Sequence, residues 1–393
     1  MVILLKKAMP FITMSTMSQR LEFCVLAAKP ESNMSDLCRR FNITRRTGYK
    51  WLGRYLEANV AGLTDRSRQP VHSPNKTLAE IEDYVIQKRT SDPVWGSLKL
   101  HKLICNDKEK GLYTYETVPC RSAINKILKR NGLIDPNLSK VSKAFERFEY
   151  DYPNELWQMD YKGYFKLLNR KLCHPLTITD DHSRFNICLK ACQDQQKETV
   201  QKELINVFRK YGMPYMILAD NGSPWGACGE TNTDGTKCFT TLEKWFIQLN
   251  IKLIHGRPFH PQTQGKEERF HKTLKKELLD REQFRDHNHC QKRFNYWRDK
   301  YNCIRPHESL DLRTPADIYA PSIKSYPEKI ETYEYNLSDI KRRVQTNGII
   351  NFNKKHINVG KAFIGDYVAI RESRKNNTYE IYFCNQLLRT ISL

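Results

Sequence analysis

The stretch LWQMDYKGYFKL, residues 156–167, marks the point where strand-forming patterns begin in this chain. Two further strand patterns follow it, HPLTITDDHSR at residues 174–184 and FNICLKAC at residues 185–192. Beyond them a helix, an apolar strand, a second helix and a second strand alternate up to residue 258. Three consecutive strands followed by strands that alternate with helices predict a mixed α/β sheet.

Three acidic residues occupy unusual positions around this predicted sheet. Asp160 lies inside the first strand, where an acid is disfavoured, and Asp220 ends the apolar strand PYMILAD. Glu268 lies early in the predicted helix of HPQTQGKEERFHKTLKKE, residues 260–277. For any one of these acids alone, pairing with a buried lysine is the simpler explanation. Together, at strand ends and a helix start, they predict an oxygen-ligand site for Mg²⁺, where two ions ~3.5–4 Å apart support phosphoryl transfer.

The predicted helix explains why a basic segment carries acids. Glu268 shares a helical face with three cationic or polar residues that are expected to meet DNA phosphates, namely His271, Lys272 and Lys275. Glu267 is turned by ~100° from its neighbour. We therefore expect Glu267 to be solvated or paired with a nearby cation.

The N-terminal stretch SDLCRRFNITRRTGYKWLGRYL, residues 35–56, predicts two short helices, with Ser35 or Asp36 capping the first and Thr44 the second. The apolar face of the second helix is expected at Tyr49, Leu52 and Leu56. Its leading edge is expected to meet base edges, as in a helix-turn-helix, through Arg45, Arg46, Thr47 and Lys50. A basic surface hairpin of helices is the alternative. The linker that follows carries Arg66 and Arg68, which are expected to lie along a DNA groove.

Two further modules flank the predicted sheet. Residues 78–134 contain three helical patterns, for which a second helix-turn-helix and a plain structural bundle remain open. The last ~60 residues hold several short strand patterns and the pair Asn347-Gly348, a strong hairpin signal. A small all-β barrel or sandwich fits this segment.

The overall charge indicates a polyanionic partner. Lys and Arg number 65 against 44 Asp and Glu, a net charge of +21, and the first 150 residues hold over half of the excess. Nucleic acid is the favoured partner and an anionic membrane surface the rival, although no apolar run reaches the ~18 residues that span a bilayer.

The 12 cysteines include no CxxC pair, and ordinary thiols are favoured over a zinc site, including at Cys228 and Cys238.

Several of these motifs together resemble a known family. WQMDYKG, ADNGSPW and residues 260–277 resemble the integrase core of bacterial insertion-sequence transposases, the DDE class related to retroviral integrases. YNCIRPHESLDLRTPADIY matches the end of that core, and LCRRFNITRRTGYKWLGRY with GLTDRSRQP matches the N-terminal module. The resemblance covers nearly the whole chain from about Met17.

Within that family, the triad of catalytic and metal-binding acids matches Asp160, Asp220 and Glu268. The family glutamate directly precedes Arg-Phe, which selects Glu268 over Glu267. The 47 residues between Asp220 and Glu268 are more than in many relatives, and the polar stretch GACGETNTDGTKCF accounts for the excess as a loop. The acids of DDHSR, Asp180 and Asp181, match a segment where the acid is structural.

The resemblance implies a multidomain architecture. It comprises N-terminal all-α helix-turn-helix modules, a central α/β RNase H-like integrase core at residues 146–318 and a C-terminal small all-β barrel at residues 319–393. The N-terminal part is divided into a helix-turn-helix domain at residues 1–66 and, at residues 67–145, a linker with a second helix-turn-helix or winged-helix-like domain.

The resemblance also implies an activity. Water activated by two Mg²⁺ ions, with Mn²⁺ able to substitute, would cut the DNA at the ends of the element, and the resulting 3′-hydroxyl would attack target DNA. The N-terminal helices would read the terminal inverted repeats in double-stranded DNA. The basic C-terminal barrel would bind the phosphates of the DNA backbone. At least a dimer would act on bacterial chromosome or plasmid DNA in the cytoplasm, without a membrane.

Three alternatives remain at this point. A decayed copy that only binds DNA would keep the helix-turn-helix modules, but all three acids are present. An RNase H-type nuclease would not explain the flanking modules. A tyrosine recombinase needs Arg and His clustered around a nucleophilic Tyr, and 20 tyrosines make a chance match easy.

Overall fold

The computed structural model describes residues 15–66, 76–134, 149–220, 222, 224–225, 238–255, 265–373 and 377–392. The predicted groove contact Arg68 and the loop residue Cys228 lie outside these ranges. The chain divides into two compact units, Met1–Lys76 and Thr77–Leu393. The boundaries of the four domains expected from the sequence remain a prediction.

The first unit is a three-helix domain. Its helices are α1 (Thr16–Ala27), α2 (Met34–Arg40) and α3 (Arg45–Ala58). The side chain of Asn33 caps α2 by accepting from the backbone N–H groups of Ser35 and Asp36, so neither of the two predicted caps is the capping residue. The predicted cap of α3 is confirmed, because the Thr44 side chain accepts from the Thr47 N–H.

The buried face of α3 differs from the predicted one. Tyr49 is 58% exposed and Leu56 is 70% exposed, so the prediction that they face the core is wrong. Gly48 and Trp51 are buried instead. The reason is that α1, which was not predicted from the sequence, contributes Phe23 to the same core and turns the buried side of α3 toward Gly48 and Trp51, with Leu52 still packed against it.

Gly48 allows α2 and α1 to approach α3 closely. A Cβ at this position would lie 2.7 Å from Cys38 Sγ and 2.9 Å from Phe23 Cζ, both buried. We expect Gly48→Ala to destabilise the first unit by about 1–3 kcal/mol, because neither neighbour has room to move. Hydrogen exchange of residues 16–58 in the full chain measures this loss.

Gly53→Ala on the same helix is the matched control for that substitution. A Cβ at Gly53 meets nothing within 4 Å, so alanine is expected to stabilise the helix by roughly 0.5–1 kcal/mol. Equal effects of the two substitutions would contradict the packing explanation.

The second unit begins with a helical module. It contains α4 (Ala79–Ser91), α5 (Ser97–Glu109) and α6 (Arg121–Arg130). These helices share one apolar core, which includes Val85, Trp95, Leu100, Ile104 and Ile124.

A six-stranded mixed sheet follows, as predicted. Strand β1 pairs antiparallel with β3 and parallel with β5, β5 pairs parallel with β6, and β2 and β4 pair antiparallel with β3. One face packs on α7 and α8 and the other on α9 and α10. The bounds are β1 (Leu156–Tyr161), β2 (Phe165–Lys166), β3 (Leu172–Asp180), β4 (Asn186–Cys192), α7 (Lys197–Tyr211), β5 (Met216–Ala219), α8 (Thr241–Gln248), β6 (Lys252–His255), α9 (Gly265–Leu274) and α10 (His287–Cys303).

Helix α9 does not end at Leu274 but continues as a turn of π-helix, Lys275–Leu279. In a π-helix the backbone bonds run from i to i+5, a geometry that is rare and frequently found near functional sites. The basic residues of α9 and of this π-turn therefore lie on one continuous helical element above the sheet.

The C-terminal segment is all-β, with antiparallel pairing. Strands β12, β11, β10 and β7 form a four-stranded sheet, and β8 and β9 form a hairpin on the same apolar core. The predicted Asn347-Gly348 pair does make a turn, in which the Gly348 N–H donates to the Gln345 carbonyl. The hairpin itself closes at Asn353-Lys354, both with positive φ, as a type I′ turn requires. The bounds are β7 (Ile340–Arg343), β8 (Ile349–Phe352), β9 (Lys355–Asn358), β10 (Tyr367–Glu372), β11 (Thr378–Phe383) and β12 (Gln386–Ser392).

In the parts of the chain that the structure describes, no helix has the length and apolar character needed to cross a membrane. The eleven described cysteines are free thiols.

Candidate active site

Two of the three predicted acids meet at the carboxyl edge of the sheet. Strands β1 and β5 are parallel neighbours, with Leu156 opposite Met216 and Gln158 opposite Leu218. The same offset, continued by two residues, brings Asp160 level with Asp220, just past the end of β5. Burial, followed by the negative charge of Asp220, raises the pKa of Asp160 to about 7. A divalent cation between two such carboxylates would relieve their repulsion.

The chain around Asp220 supports its carboxylate. The Gly222 N–H donates to Asp220 Oδ1 over 3.0 Å, and a Cβ at Gly222 would lie 3.2 Å from Asp220 Oδ2. On β6, His255 Nδ1 donates to the Asp220 carbonyl over 2.8 Å. His255 is not predicted as a site residue from the sequence, where its only signal is its place at the end of a strand next to β5.

A buried polar network lies directly behind Asp160. Thr177 is opposite Asp160 in the β1–β3 pairing. Its hydroxyl lies 2.9 Å from the Asp160 carbonyl, 3.1 Å from Glu267 Oε2 and 2.8 Å from His271 Nε2. A hydroxyl has one proton to donate and a carbonyl only accepts. If Thr177 donates to the Asp160 carbonyl, both Glu267 and His271 have to donate to Thr177.

Burial favours a protonated Glu267 and a neutral His271, and both of these forms can donate to Thr177. Desolvation is the main cause that raises the pKa of Glu267 to about 8, and the negative charge of Asp160 adds to it. Desolvation, followed by the positive charge of Lys162, lowers the pKa of His271 to about 3. The network therefore consists of a carboxylic acid, a hydroxyl and a neutral imidazole.

The orientation of α9 corrects the prediction for Glu267. Glu267 is 1% exposed and faces Thr177, so the prediction that it is solvated or paired with a cation is wrong. The physical reason is that α9 packs on the sheet through Glu267, Phe270, His271 and Leu274.

The opposite side of α9 faces away from this packed surface. The Glu268 side chain is 54% exposed, and its Oε2 lies 4.0 Å from Lys272 Nζ. Lys275 is exposed as well. His271, which the sequence grouped with these residues, is buried against Thr177 instead.

The structure brings together two of the three predicted ligands. Among the residues it describes, no three His, Cys, Asp or Glu side chains are placed to hold one metal ion. Asp160 and Asp220 offer the oxygen ligands that Mg²⁺ prefers, whereas Glu268 lies on the outer surface of the first turn of α9.

The acids of DDHSR are structural, as predicted. Asp180 accepts from the Asn154 N–H over 2.7 Å and from the Ser183 hydroxyl over 2.6 Å. Asp181 accepts from Gln158 Nε2 over 2.7 Å and forms an ion pair of 2.6 Å with Lys266 Nζ. This buried ion pair attaches the first turn of α9 to the end of β3, a role of Lys266 that the sequence did not reveal.

The predicted DNA contacts of the first unit lie on its surface. Arg45, Arg46 and Lys50 are exposed along α3, while Thr47 is partly buried. Lys50 Nζ lies 5.0 Å from the centre of the Trp51 ring. Arg66 is exposed and lies 3.8 Å from Glu57.

The burial of Glu267 has a consequence for stability. Its folded pKa of about 8 exceeds the ordinary value of 4.5, so the folded state binds the proton more tightly than the unfolded chain. The free energy of unfolding therefore falls as pH rises from about 4.5 to about 8 and loses nothing further above that. Glu267→Gln keeps a neutral side chain and is expected to remove this decline, which is on the order of 3–5 kcal/mol.

Urea unfolding of both proteins at pH 5 and pH 9 in metal-free buffer measures this effect. The two proteins are expected to differ little at pH 5 and the variant to be the more stable at pH 9. A difference that does not change with pH would contradict the raised pKa.

Comparisons with known proteins agree with this fold and domain order. Two models described as integrase core domain match residues 151–261 and 249–315. A helix-turn-helix domain model matches residues 19–70 and a homeodomain-like model residues 47–121. The model of the C-terminal domain of IS481 family transposases matches residues 339–393.

The similar proteins include retroviral polyproteins. The Gag-Pro-Pol polyprotein of Mason-Pfizer monkey virus is 32% identical over 124 residues, which are 32% of this chain and 6% of the polyprotein. That of squirrel monkey retrovirus is 31% identical over 127 residues, again 32% of this chain and 6% of the polyprotein. The chain thus matches only a small part of the length of these relatives.

Among solved structures, the catalytic core domain of HTLV-2 integrase in complex with magnesium is 16% identical, with a TM-score of 0.31, and covers 42% of this chain and 97% of that one. The matched integrase core, helix-turn-helix and transposase C-terminal models together support a resemblance to insertion-sequence transposases with a retroviral-integrase-like core. Residues 339–393 are similar to the C-terminal domain of IS481 family transposases.

Proposed function

We propose that the protein is a transposase that binds the terminal inverted repeats of an insertion sequence and catalyses metal-dependent DNA cleavage and strand transfer. The observation that carries this proposal is the meeting of Asp160 and Asp220 at the carboxyl ends of adjacent parallel strands, beneath the helix that bears Glu268. These residues are the three acids of the proposed DDE site.

The proposed cofactor is a pair of Mg²⁺ ions, with Mn²⁺ able to substitute, held by Asp160, Asp220 and Glu268. When bound, such a pair activates the attacking oxygen and stabilises the leaving oxygen in phosphoryl transfer. Thr177 and His271 hold the β1 backbone at Asp160 and the packed face of α9 in place. Glu268 on α9, whose side chain is half exposed, would complete the ligand set.

The proposed partners are double-stranded end DNA and target DNA. The exposed edge of α3 supplies base contacts through Arg45, Arg46, Thr47 and Lys50, with Arg66 and Arg68 following a groove. Exposed Lys272 and Lys275 contact phosphates beside the active site. His271 is assigned to the Thr177 network rather than to DNA, because it is buried and neutral.

Joining two ends of an element needs an active site at each, so the proposed working form is a homo-oligomer, at least a dimer, on DNA. It would act on chromosome or plasmid DNA in the bacterial cytoplasm.

A joining assay tests the proposal. Purified full-length protein is incubated with labelled DNA that carries both ends of the element, a target plasmid and Mg²⁺, and joined products are separated on gels. Joining that disappears in EDTA and returns with added Mg²⁺ is the expected result. Tight binding of the ends without cleavage or joining would favour a DNA-binding regulator instead.

A further inference from the structure

The helical module of α4–α6 is attached to the catalytic core through one shared carboxylate. The indole N–H of Trp95, in the α4–α5 connection, donates to Glu277 Oε1 over 3.1 Å. Arg305 Nε, just after α10, donates to the same oxygen over 3.0 Å. Trp95 is 1% exposed, and the Glu277 and Arg305 side chains are both largely buried. We call these three residues the Glu277 junction.

Ion pairs on both sides of the Glu277 junction reinforce the attachment. Lys300 Nζ of α10 lies 2.5 Å from Asp92 Oδ1 and 5.4 Å from the centre of the Trp95 ring. Within the module, Arg89 donates to the Trp95 carbonyl over 2.5 Å and thereby holds the connection that carries the indole. The junction is therefore an interface in which two buried donors, the Trp95 indole N–H and Arg305 Nε, share the Oε1 atom of Glu277 as their acceptor.

The position of Glu277 gives this interface a consequence for the active site. Glu277 lies in the π-turn that directly continues α9, and Glu268 lies in the first turn of the same helical element. The other end of this element is held by the buried Lys266–Asp181 ion pair. The helix that carries the proposed third metal ligand is thus attached at both ends, once to the sheet and once to the α4–α6 module.

We propose that Trp95 and Glu277 are positioning residues for the strand-transfer reaction: the Glu277 junction sets the rotation and position of α9, and through it the position of Glu268. This inference rests on the proposed function. Losing the Glu277 acceptor leaves the indole N–H and the Arg305 guanidinium without their shared partner in a largely buried place. The π-turn can then relax, and a displacement of about 1 Å at a catalytic group can cost on the order of 100-fold in rate.

Three substitutions in the full-length protein test the proposal. Trp95→Phe keeps an aromatic ring, removes the N–H donor and leaves a smaller side chain in the buried core. Glu277→Leu removes the acceptor for both donors, whereas Glu277→Gln keeps an oxygen for the indole. The matched control is Glu282→Gln, which removes a carboxylate that pairs with Arg293 near the same π-turn but does not contact Trp95.

At saturating end DNA, we expect the joining rate to fall about 10- to 100-fold in Trp95→Phe and Glu277→Leu. Glu277→Gln should recover most of the rate, and Glu282→Gln should match the wild type. The Kd for end DNA is expected to stay close to the wild-type value in both Trp95→Phe and Glu277→Leu, while the melting temperature of Trp95→Phe falls because the smaller ring leaves a cavity in the core of the α4–α6 module. A loss that appears only in Kd, or a normal joining rate in folded Glu277→Leu, would overturn the proposal.

Hydrogen exchange separates this proposal from the proposed function. Exchange of residues 265–274 is expected to accelerate at least about tenfold in Glu277→Leu and to stay unchanged in Glu282→Gln. If the wild type joins no DNA but this difference is present, the proposed function fails while the attachment of α9 stands. If α9 exchanges equally in all variants, the positioning role is wrong whatever the protein does to DNA.

Discussion

Glu268→Gln is expected to abolish DNA joining, with a loss of about 10³-fold or more, while Glu267→Gln is expected to retain activity within about tenfold at pH 7. The two glutamates are neighbours with opposite environments: Glu267 is buried against Thr177, and the Glu268 side chain is half exposed. A metal ligand has to be ionised and within reach of the ion. Glu267 satisfies the first condition poorly, because burial keeps its pKa at about 8.

The Glu267→Gln substitution is mild for a specific reason. At pH 7 the carboxyl group of Glu267 is mostly protonated, and an amide is neutral and similar in shape, so the contact with Thr177 can persist. The measurement is the initial rate of strand transfer at saturating DNA and Mg²⁺, with DNA binding checked in parallel. The reverse result, an active Glu268→Gln and an inactive Glu267→Gln, would move the third ligand to Glu267. Equal, small losses in both would remove α9 from the metal site.

Lys266→Met is expected to cause the largest loss of stability, about 3–5 kcal/mol. Lys266 Nζ lies 2.6 Å from Asp181 Oδ2, and the Asp181 carboxylate has no solvent exposure. Among the residues that the structure describes, removing the cation leaves the buried Asp181 carboxylate hydrogen-bonded to the Gln158 amide and the Tyr150 N–H, neither of which carries a positive charge. The expected result is a clear drop in the urea midpoint of the full chain.

Lys272→Met on the same helix provides the comparison. Its partner Glu268 is half exposed and 4.0 Å away, and surface ion pairs contribute roughly 0–1 kcal/mol. Lys272→Met should therefore unfold at nearly the wild-type urea concentration. If the two variants proved equally stable, the Lys266–Asp181 pair would not be what holds the start of α9.

Much of the catalytic half could be predicted from sequence, because local patterns determine it. The residue pattern and composition of LWQMDY and of the apolar strand just before Asp220 specify strands without reference to the elements they pair with. Once both strands are parallel neighbours in one sheet, their carboxyl ends lie at one edge, so Asp160 and Asp220 have to approach each other. The structural role of Asp180 and Asp181 also followed from their motif.

The errors have a common physical origin, which is the choice of the buried side of a helix. On α3, Tyr49 and Leu56 were expected to be buried, but the partner helix α1 packs on Gly48 and Trp51. On α9, Glu267 was expected in solvent, but the helix packs on the sheet through it. A helical period in the sequence shows that a helix has an apolar and a polar side. The neighbouring element that packs on the helix decides which side becomes buried.

The sequence by itself determined the order of the domains, the mixed sheet and the place of two acids at its edge, because each depends on periodicity and strand direction within short segments. Only the tertiary structure decided the rotation of α9, the neutral network of Glu267, Thr177 and His271, and the junction of Trp95 with Glu277 across 182 residues of chain. These features depend on which groups burial removes from water. Burial is a property of the assembled fold, and no local pattern of residues specifies it.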